Sequence, residues 1–459
     1  MNKYDIDPTQ QNLINSIQKD ITGRNMVLGN LLRLLNRLED SYSIAINGSW
    51  GSGKTFFVKQ CQLILDSLTI ESNNIDNGVI IARSQLFKDK EVKELQGKIF
   101  RTAYYDAWTH DNDEDPIISI LNCLATVHWN NEVKETLIKV IDAGISIVNT
   151  TTSLELPKLK NFLQNSKKQN IEKAKKQFTQ ALAKLVPEKG QLIIFIDELD
   201  RCKPTYAVKL LERIKHYFTN SKITFVFSVD LSQLQNTIKR YYGSQFDGIQ
   251  YLDRFFDLVI TLPAPNIEKY FENTNNILKV DEIFGSGYSS KNNWYHLFCK
   301  RLISYFDFSI RQINHFYLRS NSASYNLISK NLKGPRLSEN YGEFILYTFF
   351  LPFMIALSED NIENYQRFIS GNADSSILNI LADNPEFIKY ISDMLDERNE
   401  IIEISREKVV KIYKAIFTDK EPKDNIVNIS RQCYIDDPKR YKNLLINACN
   451  LLSSDTKLD

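Results

Sequence analysis

The run Gly48-Ser49-Trp50-Gly51-Ser52-Gly53-Lys54-Thr55 has the spacing G-x-x-x-x-G-K-[ST], a pattern suited to holding phosphate. Its glycines let the backbone turn N–H groups inward around phosphate oxygens. Lys54 adds a point charge near the terminal phosphates, and Thr55 offers a hydroxyl to a magnesium ion. The chain has 16 glycines, and three of them stand at positions 48, 51 and 53, so this loop needs a backbone freedom that the rest of the chain does without. A second run agrees with it independently. The apolar Leu192-Ile193-Ile194-Phe195-Ile196 ends in Asp197-Glu198-Leu199-Asp200-Arg201. A strand of that kind delivers acids to one sheet edge, where Asp197 could hold magnesium through its waters and Glu198 could orient and deprotonate an attacking water.

These residues need elements that bring them together. Ser43 to Asn47 reads as a strand before the glycine loop, and Thr55 to Leu65 has the apolar rhythm of a helix after it. Val79 to Ala82, Thr102 to Tyr105, Leu192 to Ile196 and Ile223 to Val229 are short apolar runs suited to a parallel sheet buried on both faces. Residues 1–42 read as a helical lead-in. The long interval before Leu192 predicts a helical insertion over about residues 112–188, opening at Asp115-Pro116 with a capping carboxylate followed by proline. A boundary falls at Leu262-Pro263-Ala264-Pro265, placing an α/β core over residues 43–263 and an all-α domain over 264–459.

Composition narrows the function classes. The 459 residues carry 57 Lys+Arg against 56 Asp+Glu, a formal charge of +1, so no whole-protein field draws the chain to nucleic acid or membrane. The start lacks the basic and apolar segments of a secretory signal. The six cysteines are scattered without a C-x-x-C pair. Both features are expected of reduced thiols in a cytoplasmic protein. The longest uncharged apolar stretch, Phe344 to Ser358, is shorter than the ~20 residues a spanning helix needs and contains Pro352, which predicts a buried, kinked helix and no membrane span. Asp111-Asn112-Asp113-Glu114-Asp115 resembles a calcium loop but places Pro116 where that loop requires glycine. The five histidines form no metal or triad pattern. Residues 158–189 hold nine lysines against two glutamates, which leaves two readings for the helix near Lys167 to Lys176: a solvated basic face, or an anion or nucleic-acid contact.

GSWGSGKT with its tryptophan, IDELDRC at residues 196–202 and YYDAWTH at Tyr104 to His110 together resemble the KAP family of P-loop NTPases. FSVD at Phe227 to Asp230, RFFD at Arg254 to Asp257 and IRQINHF at Ile310 to Phe316 extend the resemblance over about residues 20–320. It implies a three-layer P-loop core of the additional-strand type, in which the strand carrying a sensor residue lies between the phosphate-loop and acidic strands, followed by a helical region. It also implies ATP with magnesium as ligand, self-association, and bacterial members that work with partner proteins in defence against phage. This chain departs from the family twice. Many members insert transmembrane helices between the two motifs, whereas Leu137 to Val148 here includes Lys139 and Asp142. The last block commonly has proline before its arginine, and here Ile310 precedes Arg311.

The expected site is then as follows. Gly48, Ser49, Trp50, Gly51, Ser52, Gly53, Lys54, Thr55 and Phe56 bind the nucleotide, with Thr55 and Asp197 on magnesium and Glu198 as the base. Ser228 or Asp230 stands at a strand end as sensor. Arg254 and Arg311, and with less weight Arg201, are candidates for the arginine that meets transition-state charge, from the same or a neighbouring subunit. Arg201 has the alternative of pairing with Asp200. Trp108 is expected as a core anchor under the sheet. Three functions follow: an ATPase that hydrolyses steadily, an ATP-dependent switch that assembles with a partner and turns over slowly, or a nucleic-acid-processing ATPase.

Overall fold

The computed structural model describes residues 7–69, 76–88, 98–127, 131–152, 164–218, 222–273, 294–331, 341–395, 401–418, 426–429 and 433–450. Two compact units divide at residue 270, Ile6–Lys269 and Tyr270–Asp459.

The first unit is built on five parallel strands: β1 (Tyr42–Asn47), β2 (Ile99–Asp106), β3 (Gly190–Asp197), β4 (Ile223–Val229) and β5 (Leu258–Thr261), in the spatial order β2-β3-β4-β1-β5. The strand β4 therefore lies between the phosphate-loop strand β1 and the acidic strand β3, which is the additional-strand arrangement. Because successive side chains leave a strand on opposite faces, β3 splits its apolar run between two cores. Ile193 and Phe195 join Ile44, Ile46 and Val226 beneath the helices Gln10–Lys19, Asn25–Arg37, Lys54–Leu68 and Asn77–Leu86. Leu192, Ile194 and Ile196 join Ala45, Phe225 and Phe227 on the other face, under Pro116–Thr126, Asn131–Thr152, Gln164–Ala183, Pro204–Tyr217 and Leu231–Tyr242. A sheet with a helical layer on each face explains why its central strands are apolar throughout rather than alternating. Gly190 lets β2 and β3 close: a Cβ there would stand 1.8 Å from the Ile99 carbonyl oxygen.

The insertion opens at Asp115, whose Oδ1 accepts from the Ile117 N–H ahead of Pro116. Lys158 and Lys160 lie outside the described residues, as do the side chains of Lys167 and Lys168. Farther along, Lys173 and Lys176 are exposed, and Lys175 lies over the Tyr217 ring at 5.8 Å.

Two expectations are corrected, and one strand is added. Val79 to Ala82 belong to the helix Asn77–Leu86, not to a strand. Asp76 caps it by accepting from the Gly78 N–H, and Val79, Ala82, Arg83 and Leu86 are its buried face, a 3.6-residue period hidden in a four-residue window. The strand β5, partly exposed at Leu258 and Val259, was not expected at all. The second unit is mainly helical but not all-α, since β6 (Ile426–Asn428) and β7 (Tyr434–Asp436) form an antiparallel pair with Val427 opposite Ile435. Each has one buried residue between two exposed ones, too short a pattern for a strand signal.

In that unit Gly342–Asp360 is long and apolar enough to cross a membrane, and 78% of its window is buried inside the protein. Leu346–Phe350 form a π-type turn immediately before Leu351–Asp360. Pro352 has no N–H for the helix ladder and crowds the carbonyl one turn back, so a widened turn at that point has a direct cause. Rings from Phe298, Phe387 and Tyr390 pack against Phe349.

Candidate functional site

The C-terminal edge of the sheet gathers the two motifs. After β1 the chain turns through the glycine loop into the helix Lys54–Leu68. Gly51 and Gly53 adopt φ of +79° and +87°, the left-handed region that side chains disfavour. At Gly48 the limit is space, because a Cβ would stand 2.8 Å from Ser52 Oγ. Lys54 Nζ donates to the carbonyls of Gly48 (2.7 Å) and Ser49 (3.1 Å). Burial lowers its pKa, while Asp200, Asp230, Asp197 and Glu198 act to raise it. Thr55 and Phe56, both half-buried, follow in the first turn of the helix.

Asp197 ends β3 in register with Ser228 of β4 and Asp106 of β2. By strand alternation Asp197, Ser228 and Tyr104 share the face that carries the phosphate-loop helix. The Asp197 carboxylate is held from two sides: Tyr104 OH donates to Oδ2 at 2.7 Å and the Glu198 N–H to Oδ1 at 2.9 Å. Glu198 has φ of +58°, an uncommon conformation for a residue other than glycine. Its carboxyl pKa is pushed up to about 7, first by burial and then by Asp197, with Arg201 and Lys54 opposing. The short turn Leu199–Arg201 then returns Arg201 Nε to Glu198 Oε2 at 2.6 Å.

That ion pair corrects one expectation, since Arg201 meets Glu198 and not Asp200. The partner of Asp200 comes from the phosphate loop, with Trp50 Nε1 donating to Oδ2 at 2.6 Å. Among the described residues the buried Asp200 Oδ1 has no hydrogen-bond partner. Trp108 corrects another. It is 53% exposed rather than a core anchor, because β2 has already ended and the chain turns outward there. Its ring lies 5.6 Å from the Arg201 guanidinium, and the Trp50 ring lies 5.7 Å from it. Trp50, Trp108, Arg201 and Arg240 border an open cleft of about 240 Å³.

Of the two sensor candidates, Asp230 starts the helix Leu231–Tyr242, its Oδ1 accepting from the N–H groups of Ser232 and Gln233. Ser228 is buried, and its Oγ has no partner among the described residues. Arg254 is exposed and precedes β5. Leu258 opens β5 opposite Ile44, so Arg254 stands at the N-terminal edge of the sheet, roughly 10–15 Å of strand away from the phosphate loop. Arg311 is exposed near the start of Ile310–Asn331 in the second unit.

Two residues gained no role from sequence. One is Tyr104. The other is Arg24, buried just before the helix Asn25–Arg37. Its Nη1 donates to the Ser52 carbonyl of the phosphate loop at 2.7 Å. Nε and Nη2 donate to the Pro263 carbonyl beyond β5, at 2.9 and 2.5 Å. Burial pulls the Arg24 pKa down to about 10. An arginine before an amphipathic helix is too common a feature to have pointed there.

The model of the KAP family P-loop domain matches residues 24–333, more than half of the chain. The chain belongs to the KAP family of P-loop NTPases. Its match begins at Arg24, the residue that ties the phosphate loop to the end of β5. A search of curated proteins found no match to this KAP protein. Membership implies nucleotide binding, and in this fold the nucleotide phosphates belong at the loop that carries Lys54.

Proposed function

We propose that this KAP protein is a magnesium-dependent ATPase that hydrolyses the γ phosphate, with Glu198 orienting the water and accepting its proton. The reading is carried by one juxtaposition: the acids that end β3 and the glycine loop that follows β1 meet at the same sheet edge, close enough for Trp50 to bond Asp200. Lys54 and the loop N–H groups, from Gly48 to Thr55, would take up charge developing on the phosphate oxygens. Ser228 or Asp230 would sense the γ phosphate. Arg254 or Arg311, from the same or a neighbouring copy, would complete the charge.

The side chains fit a hard divalent cation. Thr55 and Asp197 offer oxygen, and Asp197 is oriented by Tyr104. Magnesium there would take the rest of its coordination from substrate phosphates and water. When bound, the ion neutralises phosphate charge. Specificity for adenine, work in anti-phage defence beside a partner protein, self-association and a cytoplasmic location are proposed from kinship alone.

One observation favours a second reading, a slow switch whose ATP-bound form engages a partner: Glu198 is already tied to Arg201 at 2.6 Å. The deciding experiment is phosphate release from ATP with magnesium, comparing wild type with Glu198→Gln alongside direct nucleotide binding. An ATPase predicts that both bind and only the wild type releases phosphate. Turnover retained in Glu198→Gln removes Glu198 as the base. Binding by both with no turnover in either leaves the switch.

A further inference from the structure

We propose that Trp50, Asp200 and Arg201 form a two-position latch that couples the phosphate loop to Glu198. With Trp50 bonded to Asp200, Arg201 holds Glu198. When phosphate draws Trp50 away, Arg201 passes to Asp200 and Glu198 is freed. The inference rests on the reading of Glu198 as the residue that accepts the proton from water, and it makes Arg201 a positioning residue that acts through Glu198.

Four observations lead to it. First, a carboxylate oxygen that already accepts a guanidinium N–H at 2.6 Å has less electron density to offer a water proton. Second, the guanidinium lies 5.7 and 5.6 Å from the rings of Trp50 and Trp108, so its position depends on the loop that carries Trp50. Third, Lys54 Nζ bonds the carbonyls of Gly48 and Ser49, the two residues before Trp50. Those two carbonyls use two of the three ammonium N–H donors, so a phosphate taking the third, together with the loop N–H groups, loads the backbone just ahead of the indole. Fourth, Asp200 is an acceptor in waiting. One buried oxygen takes the Trp50 indole N–H, and the other has no partner among the described residues. A buried carboxylate losing its only side-chain donor is left with an unmet hydrogen-bonding need, and Arg201 is the next residue in the chain. The cleft of about 240 Å³ beside Trp50, Trp108 and Arg240 gives the side chain room to move. Two alternative carboxylates for one arginine make the element bistable, as a switch requires.

The test uses the full chain and a non-hydrolysable ATP analogue with magnesium. Tryptophan emission of the wild type should change on binding the analogue, and the change should be lost in Trp50→Phe. Arg201→Ala should raise kcat by about two- to fivefold with KM altered less than about twofold, the shift expected from removing a partly exposed ion pair. Asp200→Asn should lower kcat by a similar factor, because Arg201 then has no second carboxylate and stays on Glu198. The double variant Asp200→Asn with Arg201→Ala should return to the level of Arg201→Ala, a dependence that a merely structural role for either residue would not produce. Arg201→Lys, which keeps the charge and loses the planar stack, should fall between wild type and Arg201→Ala, and it carries the kinetic test if the alanine variant fails to fold. The latch is overturned if the wild-type emission is indifferent to the analogue. It is equally overturned if kcat in Arg201→Ala is unchanged, or falls while the analogue still binds. Glu198→Gln in the same series separates the two ideas: turnover that persists there refutes the base, whereas an inactive Glu198→Gln beside an unresponsive Arg201→Ala refutes the latch alone.

Discussion

Replacing Arg24 by methionine removes three hydrogen bonds and leaves two acceptors without that donor, the carbonyl of buried Ser52 and that of exposed Pro263. The orphaned Ser52 carbonyl costs about 1–3 kcal/mol, whereas the Pro263 carbonyl can turn to water. Part is returned, because the guanidinium itself is buried at a cost visible in a pKa pulled down to about 10. The expected net destabilisation is about 1–2 kcal/mol. For a unit of this size that lowers Tm by roughly 2–8 °C. The bond to Ser52 orients the loop that must receive phosphate, so nucleotide affinity should fall by about tenfold or more, equivalent to ~1.4 kcal/mol of lost preorganisation. Urea and thermal unfolding give the first quantity, and titration with nucleotide at a temperature where the variant stays folded gives the second. Arg24→Lys should recover less than half of either, because an ammonium cannot reproduce the planar fork that meets both carbonyls. An unfolding free energy within about 0.5 kcal/mol of wild type would refute the stability argument. A destabilised variant with wild-type affinity would show that Arg24 supports the fold without shaping the loop.

At Gly190 an added methyl would stand 1.8 Å from the Ile99 carbonyl oxygen, backbone that cannot yield without parting β2 from β3. Gly190→Ala should therefore cost at least about 3 kcal/mol in urea unfolding, and a variant as stable as wild type would contradict the packing described. Tyr104→Phe deletes the donor to Asp197 Oδ2. It should cost only about 1 kcal/mol of stability while raising the magnesium concentration needed for half-maximal turnover several-fold, and an unmoved magnesium titration would mean that Tyr104 does not orient Asp197. Lys54→Ala should lower nucleotide affinity by about 100-fold and leave stability within about 1 kcal/mol, since burial already works against the ammonium. A large loss of stability would instead make Lys54 a structural tie through Gly48 and Ser49.

Much of the site could be read in the chain because its physics is local. A glycine loop needs its glycines at fixed spacing to reach φ of +79° and +87°, and a strand ending in Asp197-Glu198 carries its acids to an edge whatever lies beside it. The strands β1, β3 and β4 were legible for a similar reason, since sheets covered on both faces are made of short continuous apolar runs. Where the signal was weak or ambiguous over a few residues, the reading failed. Val79 to Ala82 suit a strand or a buried helical turn equally until the Asp76 cap is seen, and β5 and the β6–β7 pair are four residues or fewer.

The pairings that tune the site belong to another class. Arg24 reaches residues 28 and 239 positions away in sequence, and Trp50 reaches Asp200 across 150. The choice of Glu198 over Asp200 by Arg201 depends on the +58° backbone turn at Glu198 and on two tryptophans from separate loops. Spacing along the chain states which groups a segment can offer and in what local geometry. Which of them meet is set by how the strands are ordered and how the helices pack, because only that folding places distant side chains within the few ångströms at which a hydrogen bond or an ion pair acts.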